Sequence, residues 1–211
     1  MKPLIHKIPF KEISLLSQTA EEYVYEPKKL SPFITGEPSV RNFGRHLKER
    51  AQVNRDLLVE ELLSQNKTSN QASIANIELL RNNNTFTVTT GHQICLFTGP
   101  LYSLYKIIST LKLADKLKAE FPENNFVPVF WMATEDHDFE EINYFNFEGK
   151  KVKWNREDGG AVGRFSTEGL KDVLAVFKTQ LGTSKNAQFI KQLFADGYLK
   201  HHNLADATRF I

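Results

Sequence analysis

The chain has 211 residues, of which 41% are hydrophobic, enough to build the core of one large domain or of one and a half domains. Its 27 Lys and Arg residues nearly balance 25 Asp and Glu residues, and the net charge of +2 argues against binding to nucleic acid or a membrane through the overall field alone. The single cysteine, Cys95, cannot form an internal disulfide, and the first residues lack the apolar stretch of a signal peptide. We therefore expect a soluble cytoplasmic protein without a transmembrane segment.

Residues 1–84 are predicted to form an N-terminal extension followed by helices. Prolines interrupt the first 36 residues, which leave room for one short helix around residues 12–25. Apolar residues then recur at helical spacing from Ser39 to Gln65, which predicts one long helix, and residues 69–80 predict a second.

Residues 85–211 are predicted to form the core of an α/β fold. Two apolar runs, 85–90 and 127–132, predict strands, and residues 99–120 between them predict a long helix. This span suits a right-handed βαβ crossover, which makes the two strands parallel. Both runs are apolar on both faces, so we expect helices to cover the sheet on each side.

The remainder of the chain alternates short strands with helices. Residues 144–147 and 150–154 predict a hairpin, and residues 167–181 and 187–201 predict two amphipathic helices. A last helix begins near Asn203 and reaches the end of the chain without a glycine, proline or polar stop signal. We therefore expect the chain to be part of a longer protein.

Polar side chains follow both long strands at the point where each strand ends. Neighbouring parallel strands lie about 5 Å apart and end at the same edge of a sheet, so we expect these side chains to face one crevice. That crevice is the usual ligand position in open α/β sheets. The first group is Gly91, His92 and Gln93, and the second is Glu135, Asp136, His137 and Asp138.

The chemistry of these two groups leaves alternatives open. His92 could bind a substrate or stabilise charge, or it could hold its loop through the backbone. Residues 135–138 could form an acid–base pair, hold an ammonium group or bind a metal, but adjacent residues do not converge on one ion, and we predict no metal site. The structural alternative is a helix capped by Asp136 or Asp138. Cys95 lies between apolar neighbours, which favours a buried and unreactive thiol.

The start of the helix after the first strand is a candidate anion site. Thr98 can act as the N-cap, Gly99 permits close approach, and Pro100 fixes the first turn. The free amides at this end attract a phosphate or a carboxylate. Lys106 could reach the same anion or be a solvated lysine, and Tyr102 could contact a ligand or pack in the core.

Several ordered motifs around these residues resemble one known family. The first block is Thr90-Gly91-His92-Gln93 with Leu96-Phe97-Thr98-Gly99-Pro100-Leu101-Tyr102 and Lys106. The second is Pro128-Val129-Phe130-Trp131-Met132-Ala133 with Glu135-Asp136-His137-Asp138-Phe139 and Glu141-Ile142-Asn143, and Gly160-Ala161-Val162-Gly163-Arg164 follows. Together they are similar to the bacillithiol biosynthesis cysteine-adding enzymes, a family of cysteine ligases, over essentially the whole chain.

The resemblance implies a cytoplasmic ligase that joins L-cysteine to glucosaminyl malate through an amide bond, in the last step of bacillithiol biosynthesis. It also implies a nucleotidyltransferase-like Rossmann core with inserted segments and a coiled-coil arm, a homodimer, and a nucleotide cofactor such as ATP or ADP. Family members are much longer, so the alternative is a non-catalytic binding module or fragment that keeps the crevice. By the resemblance, the substrate- or nucleotide-binding residues would be Gly91, His92, Gln93, Thr98, Gly99, Tyr102 and Lys106, and the catalytic ones Glu135, Asp136, His137 and Asp138.

Overall fold

The computed structural model describes residues 6–47, 53–157 and 159–211. Four α-helices precede the first strand of the described chain, and the longest helix connects the two longest strands. The helices are α1 (Gln18–Tyr25), α2 (Val40–His46), α3 (Arg55–Gln65), α4 (Gln71–Leu79), α5 (Leu101–Glu120), α6 (Phe139–Ile142), α7 (Leu170–Gln180), α8 (Lys185–Lys200) and α9 (Leu204–Phe210). The strands are β1 (Thr85–Gln93), β2 (Asn125–Ala133), β3 (Tyr144–Phe147) and β4 (Lys150–Lys153).

The chain divides into two compact units. The first contains the described residues up to Phe86 together with Lys116–Asn125, and the second contains Thr87–Asp115 and Phe126–Ile211. The C-terminal end of α5 therefore belongs to the first unit, and most of β1 and β2 belongs to the second. The division of the sequence into residues 1–84 and 85–211 stays a prediction.

The helices of the first unit begin at polar residues that accept hydrogen bonds from free amides. Ser39 Oγ accepts from Asn42 N at 3.3 Å, and Asn54 Oδ1 accepts from Leu57 N at 3.1 Å. Asn54 has φ −71° and ψ 91°, so α2 and α3 are separate helices and the prediction of one helix from Ser39 to Gln65 is wrong. The helical spacing of apolar residues continues on both sides of Asn54, so the sequence pattern does not show that one helix ends and another begins there. Residues 48–52 of that prediction lie outside the described residues.

Helices α3 and α4 pack against each other and are tied to the start of the sheet. Val59, Ile77 and Leu80 are buried. The Arg55 guanidinium donates hydrogen bonds to Leu80 O at 2.7 Å and Thr85 O at 3.2 Å. These bonds satisfy carbonyl groups at the end of α4 and the beginning of β1. The prediction of a second helix in this region is confirmed by α4.

Strands β1 and β2 form a parallel pair, as the crossover argument predicts. At the beginning of the pair, Asn125 N donates to Asn84 O at 2.9 Å, and near its end Gly91 lies against Trp131. Both strands are longer than their apolar runs. The first continues to Gln93, so the residues expected in a loop form the last part of a strand.

The described part of this sheet has only these two strands. Phe130 and Trp131 on β2 are 38% and 60% exposed. The expectation that helices cover both faces is therefore wrong at these two positions.

The core of the second unit is centred on Phe97, which follows β1. Its ring centroid lies 4.4 Å from the ring centroids of Phe145 and Phe194 and 5.0 Å from that of Phe177. Its amide donates a 2.8 Å hydrogen bond to Tyr198 Oη, inside the core. This cluster joins the end of β1 to the hairpin β3–β4 and to helices α7 and α8, all of which the sequence predicts.

Candidate functional site

The ends of β1 and β2 approach each other closely because Gly91 has no side chain. A Cβ atom at this position would lie 3.1 Å from Trp131 O and 3.2 Å from Trp131 Cβ. A larger residue would separate the strands by a few tenths of an ångström. Gly91 thus sets the spacing of the edge at which the polar residues meet.

Gln93 connects the two polar groups directly. Its Nε2 donates to Asp136 Oδ2 at 2.8 Å and to Glu141 Oε2 at 2.6 Å. Both hydrogens of the amide are therefore used on carboxylates. The structure brings the ends of the two strands together, as the shared-edge argument predicts.

Asp136 is held in place on both of its carboxylate oxygens. Oδ2 accepts from Gln93, while Oδ1 accepts from the amides of His137 at 2.7 Å and Asp138 at 3.3 Å. The hydrogen bond from Gln93, with those from the two amides, holds the pKa of the Asp136 carboxyl below its usual range. Asp136 is thus an ionised acceptor that organises the loop.

The other three ionisable residues of the loop point to different surroundings. Asp138 is the N-cap of α6, with Oδ1 accepting from Glu141 N at 3.3 Å, which confirms the capping alternative for this residue. The side chain of His137 is 89% exposed, with Nδ1 3.9 Å from Asp136 Oδ1. Glu135 is exposed and lines a cavity. The side chains of residues 135–138 therefore do not converge on one point and do not form a single catalytic group.

That cavity has a volume of about 650 Å³ and opens at the carboxyl ends of the two strands. It is a broad depression that is open to solvent along much of its length. Trp131 was not predicted to be part of it, although a large aromatic residue at the end of an apolar strand, just before a polar loop, indicates a possible contact with a ligand. The lining residues are Thr89, Thr90, Gly91, His92, Gln93, Tyr102, Trp131, Ala133 and Glu135.

His92 and Tyr102 line one side of the cavity, while Lys106 lies beside that lining. The His92 and Tyr102 rings are 5.1 Å apart in an edge-to-face arrangement, and Lys106 Nζ donates to Gly91 O at 3.2 Å. Burial, together with the positive charge of Lys106, lowers the pKa of His92. The imidazole is therefore neutral at pH 7, with one nitrogen able to donate and the other able to accept a hydrogen bond.

Cys95 lies beside His92 but is not set up as a nucleophile. Its Sγ is 4.0 Å from His92 Nε2. Burial raises the pKa of the Cys95 thiol, which keeps it protonated at neutral pH. This agrees with the unreactive thiol that the sequence favours.

The turn between β1 and α5 differs from the predicted anion site. Phe97, Thr98 and Gly99 all have left-handed φ angles, of 53°, 71° and 65°. The helix begins at Leu101, so Pro100 directly precedes it and the prediction of Thr98 as N-cap is wrong. The close approach at Gly99 is to Cys95, whose Cβ would lie 2.7 Å from an added Cβ. Neither Thr98 nor Gly99 is among the described residues that line the cavity.

The glycine-rich segment after β4 supports the second loop. Val162 N donates to Asp136 O at 2.7 Å, and Gly163 N donates to Thr134 O at 2.9 Å. A Cβ on Gly163 would lie only 2.6 Å from Thr134 Cβ. This contact was not predicted, because nothing in the spacing of the two segments shows that they meet.

Two further findings concern classes of function. Within residues 6–47, 53–157 and 159–211, no group of three or more His, Cys, Asp and Glu side chains is arranged to hold a metal ion. No helix in the same ranges is long and apolar enough to span a bilayer.

The sequence of this chain is similar to a family of bacillithiol biosynthesis proteins. Residues 4–211 match the family described as "Bacillithiol biosynthesis BshC, N-terminal Rossmann-like domain". A protein of Flavobacterium johnsoniae named "Putative cysteine ligase BshC" is 50% identical over 210 residues, which are 97% of this chain and 40% of that protein. Proteins of the same name from Flavobacterium psychrophilum and Cytophaga hutchinsonii are 49% and 39% identical, again over 97% of this chain.

The chain spans about two fifths of the length of these relatives. The match to the Rossmann-like domain agrees with the parallel strand pair and its connecting helix α5. The chain therefore belongs to the BshC family of bacillithiol biosynthesis, and it corresponds to the N-terminal Rossmann-like domain of that family.

Proposed function

We propose that this chain forms the substrate crevice of a ligase that joins L-cysteine to glucosaminyl malate through an amide bond, in the last step of bacillithiol biosynthesis. The names of the relatives support the reaction class. The cavity at the ends of β1 and β2 supports the substrate class, because its lining combines a carboxylate with aromatic rings.

The observation that carries the proposal is the difference between Glu135 and Asp136. Asp136 uses both carboxylate oxygens on Gln93 and backbone amides. Glu135 lines the cavity, is exposed, and has no hydrogen-bond partner among the described residues. Glu135 is therefore the carboxylate that can pair with the amino group of glucosaminyl malate.

The other lining side chains fit a sugar. Trp131 and Tyr102 are 60% and 54% exposed and present ring surface to the cavity. The C–H face of a pyranose ring packs on such a surface because both are apolar. The neutral imidazole of His92 can exchange hydrogen bonds with a sugar hydroxyl or a malyl oxygen.

This arrangement also suits the bond-forming step. In the proposed step Glu135 first takes a proton from the ammonium group with which it pairs, which gives the amine nitrogen its lone pair. This nitrogen attacks the activated carboxyl carbon of cysteine, the activating group leaves with the electrons of its carbon–oxygen bond, and the new amide loses its second proton to solvent. Asp136 and Gln93 act on this step by fixing the loop that carries Glu135.

A nucleotide would supply the activation of the cysteine carboxylate. The described lining of the cavity contains one carboxylate and neither Lys nor Arg, which does not fit a triphosphate. A nucleotide site in this cavity is therefore not supported. The cytoplasmic location and the homodimer stay predictions.

A second candidate, a binding module without turnover, is favoured by the share of the relatives that the chain spans. The test is to incubate the purified chain with glucosaminyl malate and L-cysteine, with and without ATP, and to measure bacillithiol by mass spectrometry. Product formation supports the ligase. Calorimetric binding of glucosaminyl malate without product supports the module, and the absence of both product and binding contradicts both.

A further inference from the structure

The side-chain amide of Gln93 is held by two carboxylates from different parts of the chain. Its Nε2 donates to Asp136 Oδ2 at 2.8 Å and to Glu141 Oε2 at 2.6 Å. Asp136 lies in the loop after β2, and Glu141 lies on α6. The second of these contacts has no part in the function proposed above.

The two contacts decide the orientation of the amide. A carboxylate accepts hydrogen bonds and does not donate them, so the NH₂ end of Gln93 must face Asp136 and Glu141. The reverse orientation would place Gln93 Oε1 against carboxylate oxygens and leave all of them without a hydrogen. Oε1 is therefore the free atom of this side chain, and it accepts no hydrogen bond from any residue that the structure describes.

The free oxygen belongs to a residue that lines the cavity. Gln93 and Glu135 are both part of that lining. At this end of the cavity the two side chains offer a ligand only acceptors, which are the amide oxygen of Gln93 and the carboxylate oxygens of Glu135. Such a set of oxygens favours a positively charged group with several N–H donors.

We propose that Glu141 is a positioning residue, which with Asp136 fixes the Gln93 amide so that Oε1 accepts a hydrogen bond from the ammonium group of the ligand. This inference rests on the proposed function, in which Glu135 pairs with the same ammonium group. An ammonium group has three N–H donors, enough for both residues. Glu141 is not among the described residues that line the cavity, so it acts through Gln93.

The same contact serves the bond-forming step. After Glu135 has taken one proton, the amine nitrogen keeps two N–H groups and gains a lone pair. A hydrogen bond from one of these N–H groups to Gln93 Oε1 then orients the lone pair.

Two substitutions separate positioning from an effect of charge. Glu141→Gln removes the negative charge but keeps an oxygen that accepts from Gln93 Nε2, whereas Glu141→Ala removes both. The matched control is Glu22→Ala on α1. Glu22 Oε1 also accepts from a glutamine amide, Gln18 Nε2 at 3.2 Å, and Glu22 is not in the described lining of the cavity.

The test is calorimetric titration of the chain and the three variants at pH 7 with glucosaminyl malate and with 2-deoxyglucosyl malate, which has a hydrogen atom in place of the ammonium group. We expect Glu141→Ala to weaken binding of glucosaminyl malate about fivefold, because the Gln93 oxygen is no longer held toward the ligand. Glu141→Gln and Glu22→Ala should keep the affinity of the unsubstituted chain. None of the three variants should change the affinity for the 2-deoxy compound.

Three results would overturn the positioning role while leaving the proposed function intact. Equal weakening by Glu141→Gln and Glu141→Ala would assign the effect to charge, and equal weakening of both ligands by Glu141→Ala would assign it to the fold. Unchanged binding of glucosaminyl malate by Glu141→Ala would show that the contact does not serve recognition. The absence of glucosaminyl malate binding by the unsubstituted chain would contradict the proposed function, and this inference with it.

Discussion

Gln93 Nε2 lies 2.8 Å from Asp136 Oδ2, and this bond joins residues that are 43 positions apart at the ends of two parallel strands. The bond holds one carboxylate of the second loop away from the cavity and leaves Glu135 facing it. The site is therefore organised by an amide–carboxylate contact, and its proposed chemistry belongs to the neighbouring residue.

Replacing Gln93 with alanine should destabilise the protein in a pH-dependent way. Asp136 has a lowered pKa in the folded state, so its contribution is present above the unfolded pKa of about 3.9 and is lost as the pH falls through the folded pKa. We expect Gln93→Ala to reduce the free energy of unfolding by about 1 kcal/mol at pH 7. The difference from the unsubstituted protein should shrink below pH 4, as measured by urea unfolding.

The control for this experiment is Gln192→Ala on α8. Gln192 Nε2 also donates to an aspartate, Asp196 Oδ1, at 2.8 Å, but Lys200 remains as a partner of that carboxylate. Lys200 has the larger part in lowering the pKa of Asp196, whereas Gln93 has the largest part for Asp136. This variant should therefore change the free energy of unfolding and its pH dependence less than Gln93→Ala does. A pH-independent loss in Gln93→Ala would contradict the role assigned to the bond with Asp136.

Replacing Tyr198 with phenylalanine should destabilise the turn after β1. The hydroxyl accepts a hydrogen bond from Phe97 N in the core, and burial raises the pKa of the Tyr198 hydroxyl, which keeps it neutral. Without this oxygen the Phe97 amide is left unpaired, at a cost of about 1–3 kcal/mol in the free energy of unfolding. The measurement is differential scanning calorimetry of both this variant and the control Tyr105→Phe. The control removes a hydroxyl from a side chain that is 61% exposed, so it should change the stability little. Equal stability of the two variants would contradict the role assigned to the Tyr198 hydroxyl.

Replacing Gly163 with alanine should displace the loop that carries Glu135. The added Cβ would lie 2.6 Å from Thr134 Cβ and 2.8 Å from Thr134 O, which requires the backbone to move. We expect a loss of about 1–3 kcal/mol in the free energy of unfolding and amide chemical-shift changes from residue 134 to residue 138 in NMR spectra. Gly182→Ala is the control, because a Cβ there meets no atom within 4 Å. Unchanged shifts in Gly163→Ala would show that this contact does not position the loop.

The sequence predicts the strand–helix–strand unit well because each element has its own local signal. The apolar runs mark β1 and β2, and the polar residues that follow them mark the edge where the site lies. The same reasoning misses the break at Asn54, since the apolar repeat of α2 and α3 continues across it. Local pattern therefore identifies elements more reliably than their boundaries.

Contacts between residues that are far apart in the chain cannot be predicted from local sequence patterns. The bond between Gln93 and Asp136 depends on the register of β1 against β2, and the contact of Gly163 with Thr134 depends on how the chain returns after β4. The four adjacent ionisable residues look equivalent in sequence, but packing gives each a different environment. The capping rule fails at Thr98 because an N-cap residue has an extended backbone, whereas Thr98 has a left-handed φ angle of 71°.

The central claim is that Glu135 binds the amino group of glucosaminyl malate in the cavity at the ends of β1 and β2. Isothermal titration calorimetry of the chain with glucosaminyl malate at pH 7 tests it most directly, with Glu135→Gln as the variant and Glu157→Gln, at another exposed glutamate, as the control. We predict saturable binding that Glu135→Gln weakens about tenfold, equivalent to about 1.4 kcal/mol, and that the control leaves unchanged. Equal affinity of the chain and of Glu135→Gln, or no binding by either, would contradict the claim.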